Sequence, residues 1–258
     1  MAARGFAHSG DGPGHATLAA MIAEAAGAVL AGAGLLAWGA RGRSAQLFCR
    51  SVWRGPKTRR ALALTFDDGP SESTIDVLSL LHTYGVRATF FMIGHHARRL
   101  PRAVRRCVEE GHEIGNHSDR HHGLWLRGPQ FIREEIERAQ ESLQRLAGAP
   151  PRLFRSPYGV RWFGMRKVLR ELGLTHVAWT VLARDYALDA EGVVAHVAPR
   201  VRPGAILCFH DGRELRHHPD IGPTLAALER LLPGWIEEGY EFLTVSELAG
   251  LRGGEPQP

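Results

Sequence analysis

An apolar segment ends in two adjacent carboxylates and a Gly-Pro turn. Residues 61–66 read Ala-Leu-Ala-Leu-Thr-Phe, and Asp67, Asp68, Gly69 and Pro70 follow. A short apolar run that stops at glycine and proline predicts a buried strand with a sharp end. Two carboxylates at such an end repel each other unless a cation gives them different roles. The segment therefore favours a sheet protein with a charged site at a strand end.

Strand-like and helix-like segments alternate along the chain as far as residues 241–245. Helical patterns cover 74–84, 101–110 and 129–146, and 88–93 is a second apolar strand. Glycine follows the first two helices, and proline begins the last two, as is common at helix ends. Repeated strand-then-helix order predicts a parallel sheet covered by helices, which is the α/β class.

Two histidines lie four residues apart in the segment His117-Ser118-Asp119-Arg120-His121. If this segment is helical or forms one tight turn, both imidazole rings face the same way. One carboxylate and two histidines are a common ligand set for a catalytic metal with open positions. With one of the two aspartates bound to such a metal, the other would be free to act as a base.

Further motifs follow in a fixed order. They are TFDDGP at 65–70, ATFFMIG at 88–94, GHEIGNHSDRH at 111–121, FRSPYG at 154–159, WTVLARDY at 179–186 and GAILCFHDG at 204–212. By these motifs the chain resembles the polysaccharide deacetylases, carbohydrate esterase family 4, over about residues 53–248. The resemblance implies a distorted (β/α) barrel. Its catalytic residues would lie at the carboxyl ends of the strands.

The resemblance also implies roles for the residues of the first and third motifs. Asp67 is expected to be the general base, and Asp68, His117 and His121 are expected to hold one divalent metal ion. His122 lies five residues after His117, so we expect it to lie off the shared face. Zinc is the expected metal, with cobalt, nickel and manganese as alternatives, because two histidines and one aspartate suit several ions.

The later motifs supply the remaining expected roles. Arg155 would brace Asp67, and the backbone N–H of Tyr158 would stabilise the oxyanion. His210 would be the general acid, and Asp185 would pair with it and keep it protonated near neutral pH. Leu207 is expected on the strand face that bears His210, where it would line the space for the acyl methyl group.

Two pocket positions depart from the family pattern. Leu182 stands where the family often has aspartate, and Tyr186, which we expect to contact substrate, stands where it often has tryptophan. Neither change removes an expected catalytic group. Both changes alter the wall of the pocket, and they therefore affect which substrate the protein accepts.

The expected activity is metal-dependent removal of N-acetyl groups from amino sugars of a glycan. Three alternatives stay open: an O-acetyl esterase, a deformylase acting on a lipid-linked sugar, and a homologue that binds glycans without catalysis. The last is weakened because every polar catalytic position is occupied. The expected partner is an N-acetylated glycan or a lipid-linked amino sugar.

Composition adds limits on partners and redox state. The net charge is +5, which suits an acidic partner, a membrane surface or nucleic acid. Because no nucleic-acid motif accompanies the scattered arginines, we expect a solvated basic surface and no nucleic-acid partner.

The three cysteines, Cys49, Cys107 and Cys208, lack metal-type spacing, and their odd number argues against a disulfide framework while leaving one bridge open. Cys208 lies in an apolar run and is expected to be a buried small hydrophobe.

The N-terminal part divides into two segments. Residues 1–15 are expected to be disordered, and residues 16–40 form an apolar stretch long enough for a membrane-associated helix. The expected domains are thus 1–50, with this helix, and a catalytic domain at 51–258. The arginines after the helix favour a cytoplasmic domain by the positive-inside rule, whereas a polymer substrate favours the cell envelope, with the protein anchored or exported. The envelope is the expected location, with the cytoplasmic face as the alternative.

Overall fold

A computed structural model describes residues 13–251 of the chain. Within these residues, nine strands form one sheet, and nine α-helices and two short 3-10 helices accompany it. The strands are β1 (Ser51–Val52), β2 (Ala61–Asp67), β3 (Thr89–Met92), β4 (Glu113–Asn116), β5 (Leu153–Phe154), β6 (Thr175–Val177), β7 (Val181–Leu182), β8 (Ala205–His210) and β9 (Glu241–Phe242). The helices are α1 (Pro13–Arg41), α2 (Thr74–Thr83), α3 (Gly94–Arg99), α4 (Pro101–Glu109), α5 (Pro129–Ala147), α6 (Met165–Glu171), α7 (Ala190–Val197), α8 (Gly222–Glu237) and α9 (Val245–Ala249).

The sheet is parallel and curls into a distorted barrel. Its strand order is β1-β6-β5-β4-β3-β2-β8-β7, and β9 pairs with β2. The two ends of this order come together after β1, where Thr180 Oγ1 donates to the Trp53 carbonyl at 2.8 Å and an antiparallel bridge joins Arg54 to Ala205. The predicted α/β class and distorted (β/α) barrel are confirmed.

Side chains along β2 point alternately into the barrel interior and into the layer under the helices. Ala61 and Ala63 belong to an interior cluster that also contains Ile206 of β8. Leu62, Leu64 and Phe66 belong to the large cluster packed against the helices. Because side chains alternate along a strand, Thr65 and Asp67 continue the interior row. Burial on both faces explains why the segment is an unbroken apolar run.

The predicted elements agree closely with the observed ones. The helical patterns at 74–84, 101–110 and 129–146 correspond to α2, α4 and α5, and the strand at 88–93 contains β3. Each observed element begins or ends within two residues of the prediction, which is the usual uncertainty of such boundaries.

Helix α1 covers the apolar stretch expected at 16–40 and confirms an N-terminal apolar helix. Residues 1–12 of the segment expected to be disordered lie outside the described residues, whereas 13–15 lie in α1. In the described part of the chain, the window Ala23–Arg41 is the one that is long and apolar enough to cross a membrane, and little of it is buried. A signal sequence near an N-terminus passes the same test.

A buried arginine ties the end of α1 to the barrel. Arg161 is 1% exposed. Its guanidinium donates to the carbonyl oxygens of Gly42 and Ala45, the latter at 2.6 Å, and its backbone N–H donates to the Ala40 carbonyl at 2.9 Å. A buried charge must be hydrogen-bonded in this way to be tolerated. The contacts fix the chain after α1 against the barrel.

Candidate active site

The carboxyl ends of the central strands surround a cavity of about 560 Å³. Asp67 ends β2, His210 ends β8, and the two are register partners across the sheet. His117 follows β4 directly, and Arg155 follows β5 directly. Polar side chains from four strands therefore converge at one edge of the barrel, as expected for this architecture.

Asp67 and Asp68 point their carboxylates at different partners. Asp67 Oδ1 accepts from the Arg155 guanidinium at 2.6 Å. Asp68 has a left-handed backbone, with φ of 70°, which is unusual for a residue other than glycine. Asp68 Oδ1 lies 3.3 Å from His117 Nε2 and 3.1 Å from His121 Nε2. The neighbouring carboxylates thus occupy distinct electrostatic environments.

The segment from His117 to His121 forms a tight turn and not a helix. The spacing of the two histidines allowed both conformations. Ser118 and His121 both have positive φ, and Ser118 Oγ accepts from the His121 N–H at 3.0 Å. His117 Nδ1 lies 2.7 Å from the Arg155 carbonyl, which leaves its Nε2 facing Asp68. His121 Nδ1 is buried and has no hydrogen-bond partner among residues 13–251.

His122 lies away from this cluster. Its Nδ1 is 3.2 Å from Glu135 Oε1, and its side chain is half exposed. His122 does not line the cavity that contains His117 and His121. It offers a natural control for experiments on its neighbour.

Interactions with the histidines set the protonation state of Asp68. Burial alone would raise the pKa of this carboxyl, but the hydrogen bonds from His117 and His121 and the charge of His121 outweigh burial and hold the pKa well below its usual value. Asp68 is therefore an anion at neutral pH, as a metal-binding carboxylate must be.

His210 is paired with a buried carboxylate. Its Nδ1 lies 2.7 Å from Asp185 Oδ1, and its backbone N–H donates to Asp185 Oδ2 at 2.8 Å. Thr224 Oγ1 donates to the same Oδ2 at 2.8 Å. Burial alone would lower the pKa of His210, but the charge and hydrogen bond of Asp185 outweigh it and raise the pKa to about 9. The imidazole is therefore charged at neutral pH.

The expected position of Leu207 is wrong. Leu207 is fully buried in the cluster under the helices, and Cys208 lines the cavity instead. Leu207 precedes His210 by three residues, and strand side chains alternate, so the two side chains lie on opposite faces of β8. Cys208, two residues before His210, shares its face, and its thiol donates to Asp67 Oδ2 at 3.3 Å. The predicted burial of Cys208 is confirmed, and Cys49, Cys107 and Cys208 are all free thiols.

Two tyrosines form part of the cavity wall. Tyr158 has φ of 57° in the short turn Pro157–Gly159, and its ring centroid is 4.6 Å from that of His121. Its hydroxyl donates to Glu214 Oε1 at 3.1 Å, and burial together with the Glu214 charge raises its pKa to about 12. Tyr186 packs edge-on to His210, with ring centroids 5.4 Å apart.

The loop after β8 contributes residues that the sequence interpretation missed. The Glu214 N–H donates to Asp68 Oδ2 at 3.0 Å. Asp211 is fully buried and accepts from Thr74 Oγ1 at 2.5 Å. Burial, more than the neighbouring Asp68 and Asp67, raises the pKa of Asp211 to about 7. Asp211 follows His210 within the last motif, which was the available signal, whereas nothing local indicated Glu214.

Gly212 allows this loop to pass close to Asp68. A Cβ atom at Gly212 would overlap the Asp68 carbonyl group, which is backbone and cannot turn aside. We expect Gly212→Ala to lower the free energy of unfolding by about 1–3 kcal/mol, the usual cost of overpacking, and to weaken metal binding by shifting Asp68. Denaturant unfolding and metal titration measure both effects. Gly234→Ala, in open space on α8, is the matched control, and equal behaviour of the two variants would contradict the prediction.

Comparison with known proteins agrees with the fold and the motifs. A family model described as polysaccharide deacetylase matches residues 54–177. A peptidoglycan-N-acetylglucosamine deacetylase of Bacillus cereus is 36% identical over 201 residues, which cover 76% of this chain and 92% of the relative. A chitooligosaccharide deacetylase of a Bradyrhizobium species is 35% identical over 198 residues, which cover 73% of this chain and 90% of the relative.

A solved structure is similar over most of the chain. It is a peptidoglycan N-acetylglucosamine deacetylase in complex with 4-naphthalen-1-yl-N-oxidanyl-benzamide, with a TM-score of 0.74 and 30% sequence identity. The match covers 80% of this chain and 95% of that one. Together with the ordered motifs and the parallel barrel, these similarities establish that the chain belongs to the polysaccharide deacetylase family.

Proposed function

We propose that this protein is a metal-dependent hydrolase that removes N-acetyl groups from the amino sugars of a glycan. The observation that carries the proposal is the convergence of a two-histidine, one-carboxylate cluster, a second carboxylate and a charged imidazole on one cavity. The relatives named above, which act on peptidoglycan or chitooligosaccharide, support an N-acetylated glycan as the substrate.

Asp68, His117 and His121 fit a divalent metal. Their candidate ligand atoms lie within 4.8 Å of one another and all three residues are buried. The Arg155 carbonyl holds His117 Nδ1, so Nε2 is the ring atom left for a metal. A divalent ion bound here would acidify a water molecule and polarise the amide carbonyl. We propose zinc, since two histidines and a carboxylate suit it, with cobalt, nickel and manganese as alternatives.

A second group of possible ligand atoms comes from Asp67, Cys208 and His210. Asp67 is already paired with Arg155, and His210 with Asp185. These pairings favour proton transfer over metal binding for both residues. The metal is therefore assigned to the cluster of Asp68.

Asp67 is proposed as the general base. The fully buried Arg155 guanidinium donates to Asp67 Oδ1 and to Thr65 Oγ1, each at 2.7 Å or less. Arg155 thereby fixes the carboxylate while the other oxygen, Oδ2, remains on the side of the cavity near Cys208. A carboxylate held in this way can take a proton from water as the water attacks a carbonyl carbon.

His210 is proposed as the general acid. Its Nδ1 is engaged by Asp185, so Nε2 is the atom that would give a proton to the departing amine. The backbone N–H of Tyr158, in its left-handed conformation, is proposed to donate to the oxyanion. Tyr186, at the edge of His210, is proposed to contact the substrate.

A screen of acetyl release tests the proposal. The protein, supplied with defined metals, is incubated with N-acetylated, N-formylated and O-acetylated oligosaccharides, and free acetate and formate are measured. We expect acetate from the N-acetylated compounds. Release of formate alone, or of acetate from the esters alone, would replace the proposal with the corresponding alternative activity.

Metal content separates the two neighbouring histidines. His121→Ala is expected to lose the bound ion, because one of three ligands is removed. His122→Ala is the matched control and is expected to retain one ion per chain, since its ring contacts Glu135. Elemental analysis after reconstitution and gel filtration gives the result. Equal metal content in both variants would contradict the ligand assignment.

The helix α1 is proposed to associate with a membrane of the cell envelope. The window Ala23–Arg41 has the required length and composition, and large apolar side chains such as Val29 and Leu30 are exposed on it. The full chain is expected in the membrane fraction and to resist extraction by high salt. Recovery of the full chain in the soluble fraction would reject the anchor, and protease accessibility on intact cells would identify the side that the catalytic domain faces.

A further inference from the structure

Helix α1 is packed against the barrel through its last turn. From residue 23 to residue 38 every residue of the helix is exposed, whereas Gly39 and Ala40 are buried. At the usual rise of an α-helix, this exposed stretch is about 24 Å long. Most of α1 therefore extends beyond the surface of the barrel, and its apolar side chains are not covered by the part of the chain that the structure describes.

The last turn of α1 is held closely, so the helix is not a loose tether. A Cβ atom at Gly39 would lie 2.6 Å from Leu47 Cδ2, which shows how near the helix comes to the segment that follows it. Phe48 packs in a buried cluster with Val160 of the barrel. Arg161 makes the hydrogen bonds described above to carbonyl oxygens at and after the helix end. The barrel thus has a fixed position relative to the end of α1.

Three large apolar side chains surround this junction and are roughly half exposed. They are Trp38, Leu47 and Phe163, which we call the apolar collar. The Trp38 ring lies against Gly42, just after the helix, and the Phe163 ring centroid is 4.7 Å from that of Phe48, the neighbour of Leu47. Tryptophan, phenylalanine and leucine are the apolar residues that interfacial segments insert between lipid headgroups.

The same end of the molecule is basic. Residues 38–50 and 161–170, which contain the apolar collar, include no aspartate or glutamate. Their exposed cationic side chains are those of Arg41, Arg43, Arg50, Arg166, Lys167 and Arg170. Among residues 13–251, none of these cations is paired with a carboxylate, and Glu171, the next residue along the chain, is paired with Arg133. The charge of this surface is therefore opposite to that of anionic lipid headgroups.

We propose that the apolar collar and the basic residues around it dock the barrel on an anionic lipid bilayer, at the point where α1 enters that bilayer. The inference rests on the proposed membrane association of α1 and adds a second membrane contact, on the barrel itself. The apolar collar lies among the headgroups, and the arginines and the lysine contact lipid phosphates. Because Arg41 lines the active-site cavity, docking keeps that cavity close to the bilayer surface.

Fluorescence at chosen sites tests the docking. The native cysteines are all buried, so a cysteine introduced at the surface can be labelled with an environment-sensitive dye. Phe163→Cys and Leu47→Cys place the dye in the apolar collar at two independent positions. Ile236→Cys is the matched control, because Ile236 is an exposed apolar residue of α8, which packs on the other large cluster of the barrel.

The labelled full chains are reconstituted in vesicles of phosphatidylcholine, with or without phosphatidylglycerol. Quenching is measured with phospholipid brominated near the glycerol end of its acyl chains, and separately with iodide on both sides of the bilayer. Both collar dyes are expected to be quenched several-fold more strongly by the brominated lipid than the control dye, and to be shielded from iodide. This difference should be smaller in pure phosphatidylcholine and should fall with added salt.

Charge variants test the role of the basic residues. Arg50→Gln combined with Lys167→Gln should weaken quenching of the collar dyes in vesicles that contain phosphatidylglycerol. Arg200→Gln combined with Arg230→Gln removes the same charge from exposed positions after α7 and on α8, and it should leave the quenching unchanged.

Each contrary outcome has a distinct meaning. Collar quenching no stronger than that of the control dye in both vesicle types would overturn the docking and leave α1 as the anchor. Strong collar quenching that is equal in the two vesicle types would overturn the role of the basic residues. Shielding from iodide without quenching by brominated lipid would mean that a second copy of the chain, and not a bilayer, covers the apolar collar.

Failure of the full chain to float with the vesicles would overturn the membrane association of α1 and the docking together. None of these results depends on acetate release, so the proposed N-deacetylase activity stands or falls separately.

Discussion

Asp67→Asn is expected to lower kcat about 10³-fold while the protein keeps its metal. The substitution preserves the shape of the side chain but removes the carboxylate that would take the proton from water, and general base catalysis contributes roughly 10²–10⁴-fold. The metal is expected to remain because Asp68, His117 and His121 are unchanged. Steady-state acetate release and elemental analysis of the same preparation give the two readouts. Retention of a tenth or more of kcat would contradict the assignment of Asp67.

The same substitution should also cost stability, which requires a control. Arg155 is fully buried, and Asp67 is its charged partner at 2.6 Å. Breaking a buried ion pair on one side costs about 3–5 kcal/mol. Asp119→Asn breaks another pair of a buried aspartate with an arginine, that with Arg98 at 2.6 Å, outside the cavity. We expect Asp119→Asn to lose stability but to keep most of kcat, so the comparison isolates the chemistry.

The strands and helices were predictable because burial leaves a strong pattern. Residues 61–66 are apolar on both faces since β2 is central in the sheet, with the interior cluster on one side and the helix layer on the other. The helices that cover the sheet have regular end signals, such as Pro101 and Pro129 at the first position. These features depend on local spacing alone, so one sequence is enough to read them.

The site was predictable to the extent that motifs stand at strand ends. Asp67, His117, Arg155 and His210 lie at or directly after the ends of β2, β4, β5 and β8, and parallel strands bring those ends to one edge. Side chains two residues apart in a strand share a face. This rule was misapplied to Leu207, which precedes His210 by three residues. Its place on the wall of the cavity belongs to Cys208.

Contacts made by loops were not predictable from spacing. Glu214 reaches Asp68 across a separation of 146 residues, and its placement depends on the path of the whole loop after β8. The left-handed conformations of Asp68 and Tyr158 are set by the surrounding packing, since a positive φ is uncommon for any residue other than glycine. Likewise, nothing in the sequence pattern showed that Arg161 would be buried to hold the end of α1.

His210→Ala is expected to lower kcat about 10²-fold or more, because the departing amine loses its proton donor. The active form of His210 is the imidazolium, whose pKa is raised from 6.5 to about 9. Activity limited by this group should therefore be full below neutral pH and should fall as pH rises through about 9. This fall is the alkaline limb of the profile, and it reports the coupled groups of the site together.

Asp185→Asn tests the origin of the raised pKa of His210. The burial of His210, which lowers the pKa, is unchanged in this variant, whereas the charge of Asp185, which raises the pKa, is removed. The alkaline limb of the kcat profile should therefore move to lower pH, with a loss of kcat at neutral pH that is smaller than in His210→Ala. Thr224→Val removes a hydroxyl that donates to the same carboxylate but leaves its charge, so it should move the limb little. If the limb stays in place in Asp185→Asn and disappears in His210→Ala, another group must keep His210 protonated.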